Sequence, residues 1–263
     1  MSYAMESDDE TRRLLVQEQA DFTREALRRT GLRAGDRVLD AGCGPGGITD
    51  YKAGVVGPEG HVTGIDLSEV RLASARALNA RHAHVRILPA DIRHTGLPEA
   101  SFDFTWSQFV LQYLPDRWEA LREFARVTRP GGKVVISEFD GFGVDSWPLA
   151  PELRDWCQRF IEALHRGAGL DVYVGRKVFH AMRQAGLTQV RVHLLPQYVI
   201  AGSAEASMVQ DWETRFSALE SALAPVLGGV ENYRLMSRKY LELLADPDAL
   251  KYSILLVTEG TRP

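Results

Sequence analysis

The chain has 263 residues, 45% hydrophobic and 25% charged, with a net charge of −4 and a pI near 6.0. That composition fits a globular protein with one large core and lacks the basic footprint of a nucleic-acid binder. No apolar run approaches the roughly 18 residues of a membrane span, and the N-terminal MSYAMESDDETRR is too acidic and polar for a signal peptide.

Taken in chain order, residues 8–30 are charged and periodic, with Leu14, Leu15, Phe22, Ala26 and Leu27 near helical spacing. A turn at 31–36 leads to a regular alternation. Strands are predicted at Arg37–Ala41, His61–Asp66, Val85–Pro89, Phe102–Ser107 and Lys133–Glu138. Helices are predicted at Gly46–Val56, Ser68–Ala80 and Asp116–Val127, with turns at Gly57-Pro58-Glu59-Gly60 and Arg129-Pro130-Gly131-Gly132. Such alternation implies βαβ units, a parallel sheet and helices on both faces.

The pattern breaks after Glu138. One helical stretch, Leu153–His165, lies within 139–174. A helix at Arg176–Ala185, a Gly186 stop and a strand at Gln189–Leu195 resume the core. Residues 204–245 read as helices broken near Pro225–Gly229, and Tyr252–Thr258 as a closing strand. One domain is expected, with its core at about 31–138, 175–202 and 250–260. A helical cap is expected from 8–30, 139–174 and 203–249. The long helical detour over 203–249, which carries Trp212, Phe216 and Tyr240, suggests an enclosed, largely apolar pocket for a medium-sized hydrophobic acceptor.

The chemistry is most legible at Val38-Leu39-Asp40-Ala41-Gly42-Cys43-Gly44-Pro45-Gly46-Gly47. A strand ends in an acid, and four glycines in six positions lead into a helix start. Glycine accepts positive φ and lets backbone approach a ligand, and the helix N-terminus behind it offers N–H groups. Asp66 closes the second strand 20 residues after Gly46, the spacing at which an acid accepts hydrogen bonds from ribose hydroxyls. A dinucleotide site would read G-x-G-x-x-G. Here Asp40 stands two residues before the first glycine. Its carboxylate disfavours a pyrophosphate and suits an amino group or a sulfonium, so S-adenosyl-L-methionine is the expected nucleoside.

VLDAGCGPGG, GIDLS, PADI, FDFTWSQFVLQYL and RVTRPGGKVVISEF, in that order over 36–138, resemble the class I S-adenosylmethionine-dependent methyltransferases. The likeness is strongest to the small-molecule branch of ubiquinone/menaquinone and bacterial natural-product methyltransferases. The resemblance implies a Rossmann-like α/β fold with a seven-stranded, mostly parallel sheet and a helical cap. It implies Asp40 facing the methionine amino group, with Gly42, Cys43 and Gly44 along the methionine moiety. Asp66 would take the ribose diol and Leu67 would pack on adenine. Asp91 and Ile92 would bracket the adenine ring, and Ser107 and Gln108 would close the fourth strand beside the methionyl group. Asp50-Tyr51-Lys52 departs from the small apolar residues of many relatives, which bears on local helix packing.

Methyl transfer from a sulfonium is an in-line displacement in which positioning the acceptor supplies much of the rate. A general base assists a hydroxyl acceptor. His180, Asp140 and Tyr113 are the base candidates, since they lie at strand ends or cap segments; Glu138 is a second acid at the end of the fifth strand. Cys43 reads as a small residue in a tight turn. With no CxxC pair and no zinc-ligand spacing, neither a disulfide scaffold nor a metal is expected, and a reducing cytoplasm is the default compartment. Two other readings use the same site, a cofactor-binding pseudoenzyme and a non-methylating enzyme such as a cyclase. The expected partner is a small, lipophilic or aromatic acceptor, with no nucleic acid; the sequence leaves a homodimer open.

Overall fold

The structure is a computed structural model that describes residues 21–141 and 145–263. Of the N-terminal helical segment expected over 8–30, residues 21–30 form α1 (Asp21–Thr30), and 8–20 lie outside the described residues. Then come β1 (Arg37–Ala41), α2 (Gly47–Val56), β2 (His61–Asp66), α3 (Glu69–Asn79), β3 (Val85–Pro89) and β4 (Phe102–Gln108). They are followed by α4 (Arg117–Val127), β5 (Thr128–Phe139), β6 (Ser146–Trp147), α5 (Pro151–Ala168) and α6 (Gly175–Gln184). The chain ends with β7 (Thr188–Ala201), α7 (Ala206–Leu223), α8 (Gly229–Ala245) and β8 (Leu250–Thr261).

The sheet order is β3-β2-β1-β4-β5-β8-β6, with β7 paired to β8. Strands β1 to β5 pair in parallel. Chain order reverses between β1 and β4, the position at which open α/β sheets bind ligands beyond their C-terminal strand ends. The register sets Asp40 opposite Gly64 on one side and Trp106 on the other, and Ala41 opposite Ser107. The sheet has eight strands where seven were expected. The addition is β6, two residues pairing antiparallel with Lys251 and Leu250, too short to leave a period in the sequence.

The turn predicted at Arg129–Gly132 is instead part of β5. Gly131 takes φ +75° and the β4–β5 register shifts between Phe102 and Phe104. Backbone bonds from Gly131 N to Arg262 O and from Arg262 N to Gly132 O keep the segment paired. The glycines therefore make a strand irregularity.

By contact clustering the chain divides into two compact units. The first comprises the described residues up to Glu138 with Val174–Leu195 and Leu256–Pro263. Its core joins Leu39, Ile65, Phe102, Phe124, Val134 and Ile136 from sheet and α4 to Val178 and Met182 of α6. Each such side chain, once buried, contributes about 1.5–3 kcal/mol. The second comprises Phe139–Tyr173 and Pro196–Leu255. Here Trp156, Phe160, Phe216, Tyr233 and Tyr240 pack ring against ring from α5, α7 and α8. The void they border with Trp212 and Cys157 is only about 10 Å³, room for one water at most. Between these rings the side chains fill the space themselves, while a larger open cavity of about 750 Å³ in the same unit is lined by Leu149 and Leu153 near the start of α5 and by Lys239, Glu242 and Leu243 of α8.

Acid sensitivity is built into α4 of the first unit. Glu123 accepts hydrogen bonds from Arg126, from Thr95 N and from Thr95 Oγ1. The Arg126 guanidinium, helped by Thr95, lowers its pKa from 4.5 to about 2. A carboxyl held down in the folded state contributes stability that is complete above pH 4.5 and is lost as pH falls towards 2. Glu123→Gln is therefore expected to lower stability at pH 7 and to flatten its decline between pH 4.5 and about 2. Urea titrations across that range would show parallel curves if the side chain made no such contribution.

Candidate functional site

The glycine turn begins where β1 ends. Gly42, Gly44 and Gly46 have φ of +77°, +52° and +92°, a region in which other L residues are strained. A Cβ on Gly42 would fall 2.4 Å from Val110 Cγ2, and one on Gly46 would fall 2.8 Å from Ala75 Cα. Gly42 N and Cys43 N both donate to Ile65 O, at 2.8 and 2.9 Å, and Gly46 N donates to Cys43 O at 3.0 Å. Gly44 N donates to Asp66 Oδ2 at 3.0 Å. These amides are spent inside the protein, whereas a pyrophosphate cradle needs its amides turned to the ligand. Cys43 is buried and packs on Gly64, as a small residue in a tight turn.

Asp66 is fixed from two sides, by Gly44 N on Oδ2 and by Ser68 N on Oδ1 at 2.9 Å. Each carboxylate oxygen keeps a further lone pair. Two aligned acceptors at the end of β2 match a vicinal diol. Beside it Leu67 is 67% exposed, an apolar platform at the sheet edge. Ser107, the residue before the last of β4, is fully buried, and its Oγ has no hydrogen-bond partner among the described residues. A close-approach glycine turn, a diol acceptor, an apolar platform and an orphaned hydroxyl fit a nucleoside carrying a polar tail.

Other expected site residues are already engaged. Asp40 does not present a free carboxylate. Its Oδ2 accepts from Thr49 Oγ1 at 2.6 Å and its Oδ1 lies 2.6 Å from Lys52 Nζ. Gln108 donates through Nε2 to Thr23 Oγ1 of α1 at 3.0 Å, while Phe109 beyond it takes φ +57° and meets the Phe22 ring edge-on. Asp91 takes a forked contact from Arg93 Nε and Nη2, the latter at 2.7 Å, and that guanidinium holds its carboxyl below the ordinary value. Ile92 is buried in the first unit's core and is not left open to a ring.

Of the base candidates, His180 is exposed. Helix α6 turns Val178 and Met182 inward and leaves His180 and Phe179 exposed, because residue 180 falls on the face opposite them. Tyr113 is half-buried in the 3₁₀ turn Leu111–Tyr113 after β4. Asp140 follows β5 in the second unit, half-buried, with its N–H on Ile254 O. Glu138 has a structural task. It is fully buried, and its Oε1 accepts from Val110 N at 2.9 Å and Leu111 N at 2.7 Å. The acid at the end of β5 thereby pins the turn that carries Tyr113, a link across 27 residues that no local pattern announces.

A family model described as a methyltransferase domain matches residues 39–136. The chain is 42% identical over 111 residues to 27-O-demethylrifamycin SV methyltransferase of Amycolatopsis mediterranei, a match over 41% of this chain and 40% of that protein. It is 36% identical over 117 residues to demethylmenaquinone methyltransferase of Staphylococcus aureus, over 44% and 48% respectively. The matched segments span less than half the length of these curated relatives. In fold it is similar to a Haemonchus contortus phosphoethanolamine N-methyltransferase solved with S-adenosylhomocysteine. There the TM-score is 0.57 at 20% identity, over 92% of this chain and 52% of the other.

Proposed function

We propose that this chain, whose residues 39–136 match a methyltransferase-domain model, is a class I S-adenosylmethionine-dependent methyltransferase that methylates a small lipophilic or aromatic acceptor. The observation that carries this reading is Asp66, whose two oxygens are aligned by Gly44 N and Ser68 N at the end of β2. The rifamycin and menaquinone relatives support a polycyclic or quinone-like acceptor bearing a hydroxyl or a nucleophilic carbon.

When bound, S-adenosylmethionine supplies a methyl group already activated by its sulfonium. The chain's own part is to bind and orient. Asp66 receives the ribose diol and Leu67 takes the adenine face. Gly42, Cys43 and Gly44 give close backbone to the methionine moiety, and Ser107 Oγ offers a hydroxyl beside it. Asp91, held by Arg93, borders the adenine with Ile92 behind it. Holding two reactants in near-attack geometry can supply roughly 7–11 kcal/mol of the barrier. Tyr113 and Asp140 stand as candidates to take an acceptor proton.

Incubation with S-adenosylmethionine and a panel of hydroxylated quinones and polyketides tests the reading. Release of S-adenosylhomocysteine with an acceptor 14 mass units heavier, about one methylene, is the expected result. An acceptor altered at unchanged mass would favour a cyclase, and binding without turnover across the panel a pseudoenzyme. In the same assay His180→Ala is expected to leave turnover unchanged, since the ring is exposed on the outer face of α6. A large fall in kcat would restore His180 as a base.

A further inference from the structure

Asp40 stands at the sheet's switch point, beside the glycine turn, and its charge is matched from within the protein. Lys52 on α2 is 0% exposed and Asp40 only 3%. Thr49 and Lys52, one helical turn apart, both reach the Asp40 carboxylate. The Lys52 ammonium also lies 5.2 Å from the centroid of the Trp106 ring, within reach of a cation–π contact. Trp106 is Asp40's own partner in the β1–β4 register, so strand pairing and helix spacing converge on one buried charge pair. A charge this deep persists only when paired. Asp91 is likewise matched, by Arg93. Asp66 has amide partners and no salt bridge among the described residues.

We propose that Lys52 is a positioning residue of the donor site: it neutralises Asp40 from inside the protein, so that the site holds the cationic sulfonium donor and its neutral thioether product with little preference by charge. The inference rests on the donor reading above. It reverses the role that Asp40's place before the glycines suggests, because the ammonium facing this carboxylate comes from α2.

Calorimetric titration of the full chain with S-adenosylmethionine and with S-adenosylhomocysteine tests it. The two ligands share amino, carboxylate and nucleoside groups and differ by the sulfonium charge. Lys52→Met unmasks Asp40 and is expected to shift the affinity ratio on the order of tenfold towards the sulfonium, the scale of one partly screened charge pair. Asp40→Asn removes the carboxylate that faces Lys52 and is expected to shift it the opposite way. The double variant returns the ratio to that of the starting protein. Should one single variant fail to fold, the other and the double still decide. Equal losses for both ligands in each variant would mean a purely structural role and overturn the inference while leaving the donor reading intact. A starting protein that binds neither ligand would overturn the donor reading, and this inference with it.

Discussion

Asp66→Ala is expected to weaken S-adenosylhomocysteine binding by about 1.5–3 kcal/mol, the range for losing hydrogen bonds to a charged acceptor. The carboxylate works in two directions. Inward, it accepts Gly44 N and Ser68 N and so ties the glycine turn to the start of α3. Outward, its remaining lone pairs face the position proposed for the ribose diol. Asp66→Asn separates the two tasks, because the amide keeps one accepting oxygen while its NH₂ opposes one of the two aligned N–H donors. Affinity should fall in both variants by more than thermal stability does. Calorimetry that finds the alanine variant binding as tightly as the starting protein would sink the ribose placement.

Gly46→Ala is expected to cost about 2–5 kcal/mol of folding stability, from about 1–2 for a left-handed backbone and 1–3 for overpacking. Its φ is +92°, and the added Cβ would lie 2.8 Å from Ala75 Cα, Ala75 Cβ and Asn79 Nδ2. A backbone atom of α3 cannot yield as a side-chain tip can, and Asn79 Nδ2 is already committed to Gly46 O and Ala75 O. Two other glycines calibrate the value. Gly42→Ala meets the Val110 side chain, which can rotate, while Gly57→Ala at φ +68° meets nothing within 4 Å and carries the backbone strain alone. Thermal unfolding should therefore rank Gly46→Ala as the most damaging and Gly57→Ala as the least. Equal losses at all three positions would show that α2 and α3 do not pack as tightly on Gly46 as described.

The first half of the chain was legible because its signals are local. β1, β2 and β3 fall on the predicted residues, since each is a short apolar run closed by a turn or a polar residue. Ser68 caps α3 by accepting from Arg71 N, a local contact three residues long. The break between α7 and α8 follows from Pro225, Gly228 and Gly229, the last two at φ near +90°. At the candidate site the strand-end positions were legible in the sequence, and the side-chain partners were not. Asp40 and Asp91 stand where the pattern puts them, yet their partners, Lys52 and Arg93, depend on side-chain reach. Lys52 was visible as a departure from small apolar residues, but only the fold shows that it points at Asp40. Gln108 is bound to Thr23 across 85 residues and Glu138 to the Val110–Leu111 amides, links with no period to betray them. His180 is the case in which local reasoning could have gone further: helical spacing from Val178 and Met182 already turns it outward.

The donor site is the central claim, and the structure of the chain with S-adenosylhomocysteine tests it most directly. The expected complex has both ribose hydroxyls on the Asp66 carboxylate, the adenine against Leu67, and the Lys52–Asp40 pair still closed beneath the methionine moiety. A nucleoside bound away from the end of β2, with Asp66 touching only Gly44 N and Ser68 N, would contradict it.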